Sequence, residues 1–466
     1  VFDLTVIGGG PGGYVCAIRA AQLGGRVALV EEGALGGTCL NRGCIPTKAL
    51  LEVARRYSEI REAGQFGLKV EGVTVDFPAV LNRQRQVTTA LRNGVGQLLA
   101  SNGVEVKAGR GSLAGAGRVS VAYPDGRTEV LQTKTIVIAT GSCPAAPPLP
   151  GIDLPGVLNS DSALALDKLP ASMVIVGGGV IGLEFASYLN AFGVTVTVIE
   201  MLPSILPGQD GEVVAEATKL LKRKKIAIHT GVKVKGIRPG LVVDAEMPDG
   251  STQQFPAEQV LVATGRRPSL GGLDVAAAGI AMNGRAVKVD EFMRTSAPGI
   301  YAIGDVTGSA LAHAASAQAS VAAESALTGV TQPYDGRFVP GVVFSDPEIA
   351  SVGLTEEAAR ADGRSVKVAR FPFSANGRAM AGGHKEGFAK VIAEEEFGEI
   401  LGVHIVGAHA GDLIHEAVVA LSLECTVDEF ARMIHAHPTM SEAILEAAHG
   451  LHGGFIHLPR PAVKKG

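Results

Sequence analysis

One structural unit occurs twice in this chain. Residues 4–32, LTVIGGGPGGYVCAIRAAQLGGRVALVEE, read as a buried strand, a glycine turn, an apolar-periodic helix and a second strand ending in acids. Residues 173–201, MVIVGGGVIGLEFASYLNAFGVTVTVIEM, read the same way. Both carry G-x-G-x-x-G, at Gly8, Gly10 and Gly13 and at Gly177, Gly179 and Gly182, and in both a glutamate (Glu31, Glu200) follows the last glycine by 18 positions. In such a turn the first glycine allows the sharp bend, the second lets the backbone approach a pyrophosphate, and the third lets helix and strand pack closely. The helix N-terminus then faces the phosphates. One such turn often serves packing alone. Two copies, each with its acid in place, point to two bound dinucleotides. A carboxylate ending the second strand accepts hydrogen bonds from ribose hydroxyls and repels a 2′-phosphate, and MLPSILPGQD after Glu200 contains no Lys or Arg. NAD is therefore expected there rather than NADP.

Two return strands repeat as well. IVIATGS closes at Thr140, Gly141 and Ser142, and VLVATGRRP closes at Thr264, Gly265 and Arg266. A further apolar strand, GIYAIGDVTG, ends at Gly304 and Asp305, either an ordinary strand-end turn or a carboxylate within reach of a ribose or ribityl hydroxyl. From Val342 onward strands run in a row and helices follow, the texture of an α+β domain. The Pro/Ala patch SCPAAPPLPG, residues 142–151, reads as a domain boundary. The expected fold is α/β, two Rossmann-like units followed by a C-terminal α+β domain. The expected divisions are 1–145, 146–270, 271–341 and 342–466. With 466 residues, the chain exceeds what one core of about 150 residues supports.

Composition excludes several functions. A net charge of -4, with 19% charged residues, offers no basic excess for nucleic acid. No apolar run reaches the ~18 residues of a membrane span. The chain opens on the strand-like FDLTVIGGG rather than a signal peptide. Its five cysteines, Cys16, Cys39, Cys44, Cys143 and Cys425, are too few and scattered for a secreted disulfide framework. A cytoplasmic protein is expected.

Two of those cysteines sit in GGTCLNRGCIPTK, residues 36–48. Their spacing is not a common zinc spacing and no second ligand pair lies nearby, so no metal site is expected. A disulfide closing so small a loop constrains the unfolded chain little. Redox chemistry or coincidence remains. The segment reads as helical from about Thr38 through KALLEVARRYSEIREA. Residues five apart in an ideal helix have Cα atoms roughly 8.7 Å apart, whereas a disulfide needs less than about 7 Å. A bond between these thiols would need a distorted first turn, which Gly43 and Pro46 would permit or mark. A helix N-terminus also favours thiolate over thiol. Lys48, four residues after Cys44 on the same face, is either a solvated lysine or a charge partner for a sulfur or a reduced cofactor.

Taken together, GGTCLNRGCIPTK, the paired dinucleotide turns, AIGDV and HAHPTMSE resemble the flavoprotein pyridine nucleotide-disulfide oxidoreductases over essentially the whole chain. Within them the resemblance is to the branch that oxidises dihydrolipoamide with NAD. It implies FAD on 1–145, NAD on 146–270, a central segment completing the FAD site and a C-terminal dimerisation domain. Cys44 would lie against the flavin as the charge-transfer thiolate, and Cys39 would exchange with lipoamide. Lys48 would lie beside the flavin with Glu184 as its carboxylate partner, although Glu184 also reads as a first-turn acid complementing the helix dipole. His437 and Glu442 match the acid/base histidine and its orienting carboxylate. Imidazole suits that task because it exchanges protons near neutral pH. On the sequence alone His437 reads as an interface or capping histidine rather than a catalytic one, a reading that the redox motif reverses, and His435 receives no role. Thr38, Gly111, Thr140, Gly141, Ser142, Gly304, Asp305 and Ala312 would contact FAD, and Val232 and Gly265 would contact NAD. His437 would serve the partner subunit, so each site of the homodimer would span two chains. A lipoyl-bearing protein of a 2-oxo acid dehydrogenase or glycine cleavage complex would be the physiological partner.

There are departures. Thr47 stands where many relatives have serine, and Ala314 and Ala319 stand where the family often has a long side chain and a glycine. A glutathione-reductase-like enzyme is disfavoured because it uses NADPH. A mercuric-reductase-like enzyme is disfavoured because the last cysteine is Cys425 and His437 is present. A non-catalytic flavin-binding scaffold is disfavoured by the intact cysteines and histidine motif.

Overall fold

The strand Phe2–Ile7 is buried almost throughout, because helices cover one face of the sheet it centres and the strand Arg118–Ala122 with the segment 273–297 covers the other. In the computed structural model, which describes residues 1–459, it pairs in parallel with Val27–Glu31 on one side and Thr128–Ile138 on the other. Glu105–Ala108 extends the sheet beyond Val27–Glu31. From far along the chain, Ile300–Ala302 returns to pair in parallel with Thr128–Ile138, bringing Gly304 and Asp305 to the first unit. An antiparallel meander, Arg110–Leu113 and Arg118–Ala122, continues from the other part of Thr128–Ile138. Five helices serve this unit: α1 (Pro11–Gln22), α2 (Gly37–Arg42), α3 (Cys44–Arg61), α4 (Phe77–Ser101) and, from far along the chain, Ala312–Thr328, which packs on α1.

The second unit repeats the plan. Five parallel strands run in the order Ala227–His229, Thr195–Ile199, Ser172–Val176, Gln259–Val262, Val157–Leu158, with the helix Val180–Ala191 after the glycine turn. The patch 142–151 is not wholly a linker. Ser142–Pro144 pairs antiparallel with Arg266–Pro268, so the exits of the two return strands form one ribbon. The Ala145 N–H donates to Gly265 O at 3.0 Å and the Ser269 N–H to Gly141 O at 2.9 Å, which close the ribbon at its two ends.

The third sheet is antiparallel, in the order Gly341–Val343, Ile349–Gly353, Ile400–Val406, Phe388–Glu394, Val366–Pro372. The helices Ala410–Ser422 and Glu442–His452 cover it over a core that includes Phe371, Phe373, Ile414 and Ala447. Lys390, inside this sheet, is fully buried. Its ammonium meets Asp210 at 2.8 Å, Glu212 at 2.9 Å and Glu356 at 2.9 Å. Asp210 is the N-cap of the helix Gly211–Arg223 of the second unit, so a buried ionic cluster ties that unit to the third sheet. Residues 460–466 of the expected C-terminal domain lie outside the described residues. No helix among the described residues is long and apolar enough to cross a membrane.

Candidate active site

The expected continuous helix over the two cysteines is instead two helices. Gly43, with φ -149° and ψ -110°, separates α2 from α3. The break draws the Cα atoms of Cys39 and Cys44 to 4.6 Å, and the two sulfurs form a disulfide. Thr47 secures the start of α3, its N–H and Oγ1 both donating to Gly43 O, at 3.1 and 2.7 Å. Pro46 sits in the first turn, where its missing N–H costs nothing. The Gly36 N–H donates to Gly9 O at 2.8 Å, which stitches the cysteine helix α2 to the first glycine turn.

Lys48, one turn into α3, donates to both carboxylate oxygens of Glu184 at 2.8 Å. Glu184 is the fifth residue of Val180–Ala191, in its second turn, so the reading of a first-turn acid facing the helix dipole is corrected. Its side chain is 5% exposed against 31% for Lys48. The Phe344 N–H also donates to Glu184 Oε1, at 3.1 Å.

Both glycine turns are built alike. Glu31 accepts from the N–H groups of Gly9 at 2.6 Å and Gly33 at 2.7 Å. Glu200 accepts from Gly178 at 2.7 Å and Leu202 at 2.8 Å. Each acid therefore shapes its own turn, a role the sequence reading missed. A Cβ on Gly13 would lie 1.8 Å from Gly8 O, and one on Gly182 would lie 2.1 Å from Gly177 O. Only glycine permits that approach.

A polar cluster gathers at the return strands. Ser142 Oγ hydrogen-bonds Asp305 and accepts from Arg266 Nε at 2.8 Å, while Arg266 Nη2 reaches Ser142 O at 2.8 Å and Thr38 Oγ1 at 3.5 Å. Arg266 thus joins residues expected at the first cofactor, although the sequence marked it only as the end of a strand in the second unit. Thr140 Oγ1 donates to Ser269 O at 2.6 Å, and the Gly304 N–H donates to Gln318 Oε1 at 2.7 Å. Gly111 packs against Ile7 and Val30, and Val232 is buried with its N–H on Glu200 O at 3.0 Å. Gly141 and Gly265 have positive φ and open space beside them. Ala314 and Ala319, the departures on the helix Ala312–Thr328, are both buried.

Cys39 opens on a cavity of about 460 Å³ between α1, α4 and the helix beginning at Ala312, lined by Tyr14, Leu40, Leu91, Val95, Leu98 and Ala312 among others. Cys44 does not line it. The contribution of α4 was not foreseen. Its apolar stripe reads as ordinary core until the fold shows Leu91 and Leu98 exposed.

His437 Nδ1 lies 2.9 Å from Glu442 Oε1, and Glu442 Oε2 accepts from the Thr439 N–H at 2.8 Å. Burial pushes the Glu442 carboxyl up, but the Thr439 N–H and His437 outweigh it and hold the group below the usual carboxylate range. The imidazole is 78% exposed, and among the described residues neither it nor Glu442 hydrogen-bonds to Cys39 or Cys44. His435 is the opposite case, buried between Glu416 and Met433 O.

This geometry has known counterparts. Residues 2–319 match the pyridine nucleotide-disulphide oxidoreductase family, and residues 339–448 match the dimerisation domain of the same proteins. The chain belongs to the pyridine nucleotide-disulphide oxidoreductases. It is 44% identical over 472 residues to a dihydrolipoyl dehydrogenase of Bacillus subtilis, covering 98% of this chain and 99% of that one. It is 42% identical over 464 residues to a mitochondrial dihydrolipoyl dehydrogenase of Arabidopsis thaliana, covering 98% of this chain and 91% of the relative. Among solved structures, LpdA of Mycobacterium tuberculosis superposes with a TM-score of 0.89 at 29% identity, over 97% of this chain and 100% of that one. RclA of Escherichia coli, a flavoprotein disulfide reductase, superposes with a TM-score of 0.86 at 30% identity, over 96% and 98%.

FAD and a pyridine nucleotide are the cofactors of this oxidoreductase family. The two turns fit them. The N-caps of α1 and Val180–Ala191, Gly10 and Gly179, give no side-chain cap, so the first N–H groups of both helices stay open to an anion. A Cβ on Gly179 would meet nothing within 4 Å, and one on Gly10 only Gly37 Cα at 3.8 Å, so the backbone there lies bare.

Proposed function

We propose that this oxidoreductase oxidises dihydrolipoamide to lipoamide and reduces NAD, with FAD at the first glycine turn and NAD at the second. The carrying observation is the placement of the disulfide: Cys39 opens on an apolar cavity suited to an aliphatic dithiol, while Cys44 heads α3 one turn before Lys48. His437, its Nδ1 tied to Glu442, takes a proton from one substrate thiol. The thiolate attacks Cys39 Sγ, the Cys39–Cys44 bond breaks, and Cys44 leaves as a thiolate favoured by the helix N-terminus. The second substrate sulfur, once deprotonated, attacks the first, closes the lipoamide ring and releases Cys39. Two electrons now reside on the cysteines, and the substrate's two protons have passed to His437 and solvent. Bound FAD supplies the two-electron path from this dithiol to NAD. Lys48 and Glu184 hold a fixed charge pair beside that path.

The functional unit in this reading is a homodimer in which His437 serves the partner's disulfide. A lipoyl-bearing protein of a 2-oxo acid dehydrogenase or glycine cleavage complex delivers the substrate in the cytoplasm, where scattered cysteines stay reduced. The divisions 1–145, 146–270, 271–341 and 342–466 describe the FAD, NAD, central and interface domains of the same reading.

One steady-state assay tests it, pairing dihydrolipoamide or glutathione with NAD or NADP. The dihydrolipoamide and NAD pair is expected to exceed each alternative by roughly 100-fold in kcat/KM. Preference for glutathione or for NADP contradicts the proposal.

A further inference from the structure

Phe344 touches both members of the Lys48–Glu184 pair, yet it belongs to the antiparallel sheet region, directly after the strand Gly341–Val343. Its ring centroid lies 4.7 Å from Lys48 Nζ, and its backbone N–H donates to Glu184 Oε1 at 3.1 Å. Two residues on, the Asp346 N–H donates to Ser187 Oγ at 3.2 Å, so the segment runs along the helix that carries Glu184. The segment is also held from behind. Glu348 Oε2 accepts from the Gly411 N–H at 3.0 Å, and a methyl on Gly411 would lie 3.0 Å from Val342 and 3.3 Å from the Phe344 ring edge. The ring is thus backed by the start of Ala410–Ser422 and turns its face to the ammonium.

The electrostatics are complementary. An aromatic face carries negative quadrupole density and attracts a cation within about 6 Å of its centroid. A backbone N–H orients a carboxylate oxygen. One residue therefore fixes the cation with its ring and the anion with its amide. Leucine or methionine there would keep the amide and most of the volume and lose only the ring face.

We propose that Phe344 is a positioning residue for the Lys48–Glu184 pair, through which the C-terminal unit sets the redox centre of its own chain. The inference rests on the reading of Lys48 and Glu184 given under the proposed function.

The test uses the flavin-loaded holoprotein with Phe344→Leu, Phe344→Met, Phe344→Tyr and, separately, Lys48→Met. It reads kcat and KM for dihydrolipoamide and NAD, and the long-wavelength absorbance that appears on two-electron reduction. Phe344→Leu is expected to lower kcat about five-fold, the size of a half-buried cation–π contact, with KM for dihydrolipoamide unchanged and the long-wavelength band weakened. Phe344→Tyr, which keeps the ring face, restores both to within about two-fold. Should Phe344→Leu fail to fold, Phe344→Met carries the same comparison. Wild-type kcat and band in the Leu and Met variants overturn the proposal, as does a Tyr variant as impaired as Leu. If Lys48→Met alone loses rate and band, only the Phe344 inference falls; if Lys48→Met changes neither, the underlying reading of Lys48 falls first.

Discussion

At Glu442 a single backbone N–H decides the geometry. Thr439 holds one carboxylate oxygen and leaves the other for His437, so the imidazole faces outward with its Nδ1 occupied. Because the folded carboxyl lies below its ordinary range, its contribution to stability is fully present above the unfolded carboxylate value. It is lost as pH falls through the lowered folded value. Glu442→Gln is expected to lower kcat with dihydrolipoamide about 10- to 100-fold, leaving NADH-driven reduction of an artificial acceptor unchanged. Urea unfolding should show the variant less stable than wild type at neutral pH, with the gap closing in acid. Residues inside a compact motif, such as Cys39 with Cys44 or His437 with Glu442, were legible in the sequence as candidates. Phe344 and Arg266 were not, because their partners lie 160 and 124 positions away and no local pattern encodes such contacts.

Among the elements, the two strand-turn-helix units were legible because period-2 and period-3.6 patterns switch at the glycines. The break at Gly43 was legible only as a requirement: a regular helix holds the cysteines too far apart, and the sequence named Gly43 and Pro46 without saying that the helix would divide in two. The third glycine of each turn carries a separable expectation. A methyl on Gly182 would collide with Gly177 O and one on Gly13 with Gly8 O. Gly182→Ala should therefore keep the flavin spectrum and lose binding of NADH in a fluorescence titration, whereas Gly13→Ala should be purified without flavin. Loss of flavin from Gly182→Ala would contradict the assignment of the two turns.

For the whole molecule, the three large sheets followed from the order of strands and helices, but the tie between the second unit and the third of them did not. Lys390 in FAKVIAE looks like a lysine on a solvent-facing strand, and its burial depends on Asp210, 180 positions earlier. Burial alone would raise the Asp210 carboxyl, but Lys390 and its neighbours hold it below the ordinary range, so this contribution too is present at neutral pH and lost as pH falls through the lowered folded value. Lys390→Met leaves Asp210 buried beside Glu356 without its cation, and should cost about 3–5 kcal/mol in denaturant unfolding. The proposed dimer carries the central claim, since among the described residues His437 and Glu442 make no hydrogen bond to either cysteine of their own chain. The direct measurement is complementation: Cys44→Ser and His437→Gln subunits, each with its own affinity tag, are co-expressed and the mixed dimer is isolated by two-tag purification. If each site joins the disulfide of one chain to the histidine of the other, one of the two sites is intact, and the mixed dimer should reduce NAD with dihydrolipoamide at about half the wild-type rate while both parent homodimers are inactive. A mixed dimer as inactive as its parents would contradict the shared site.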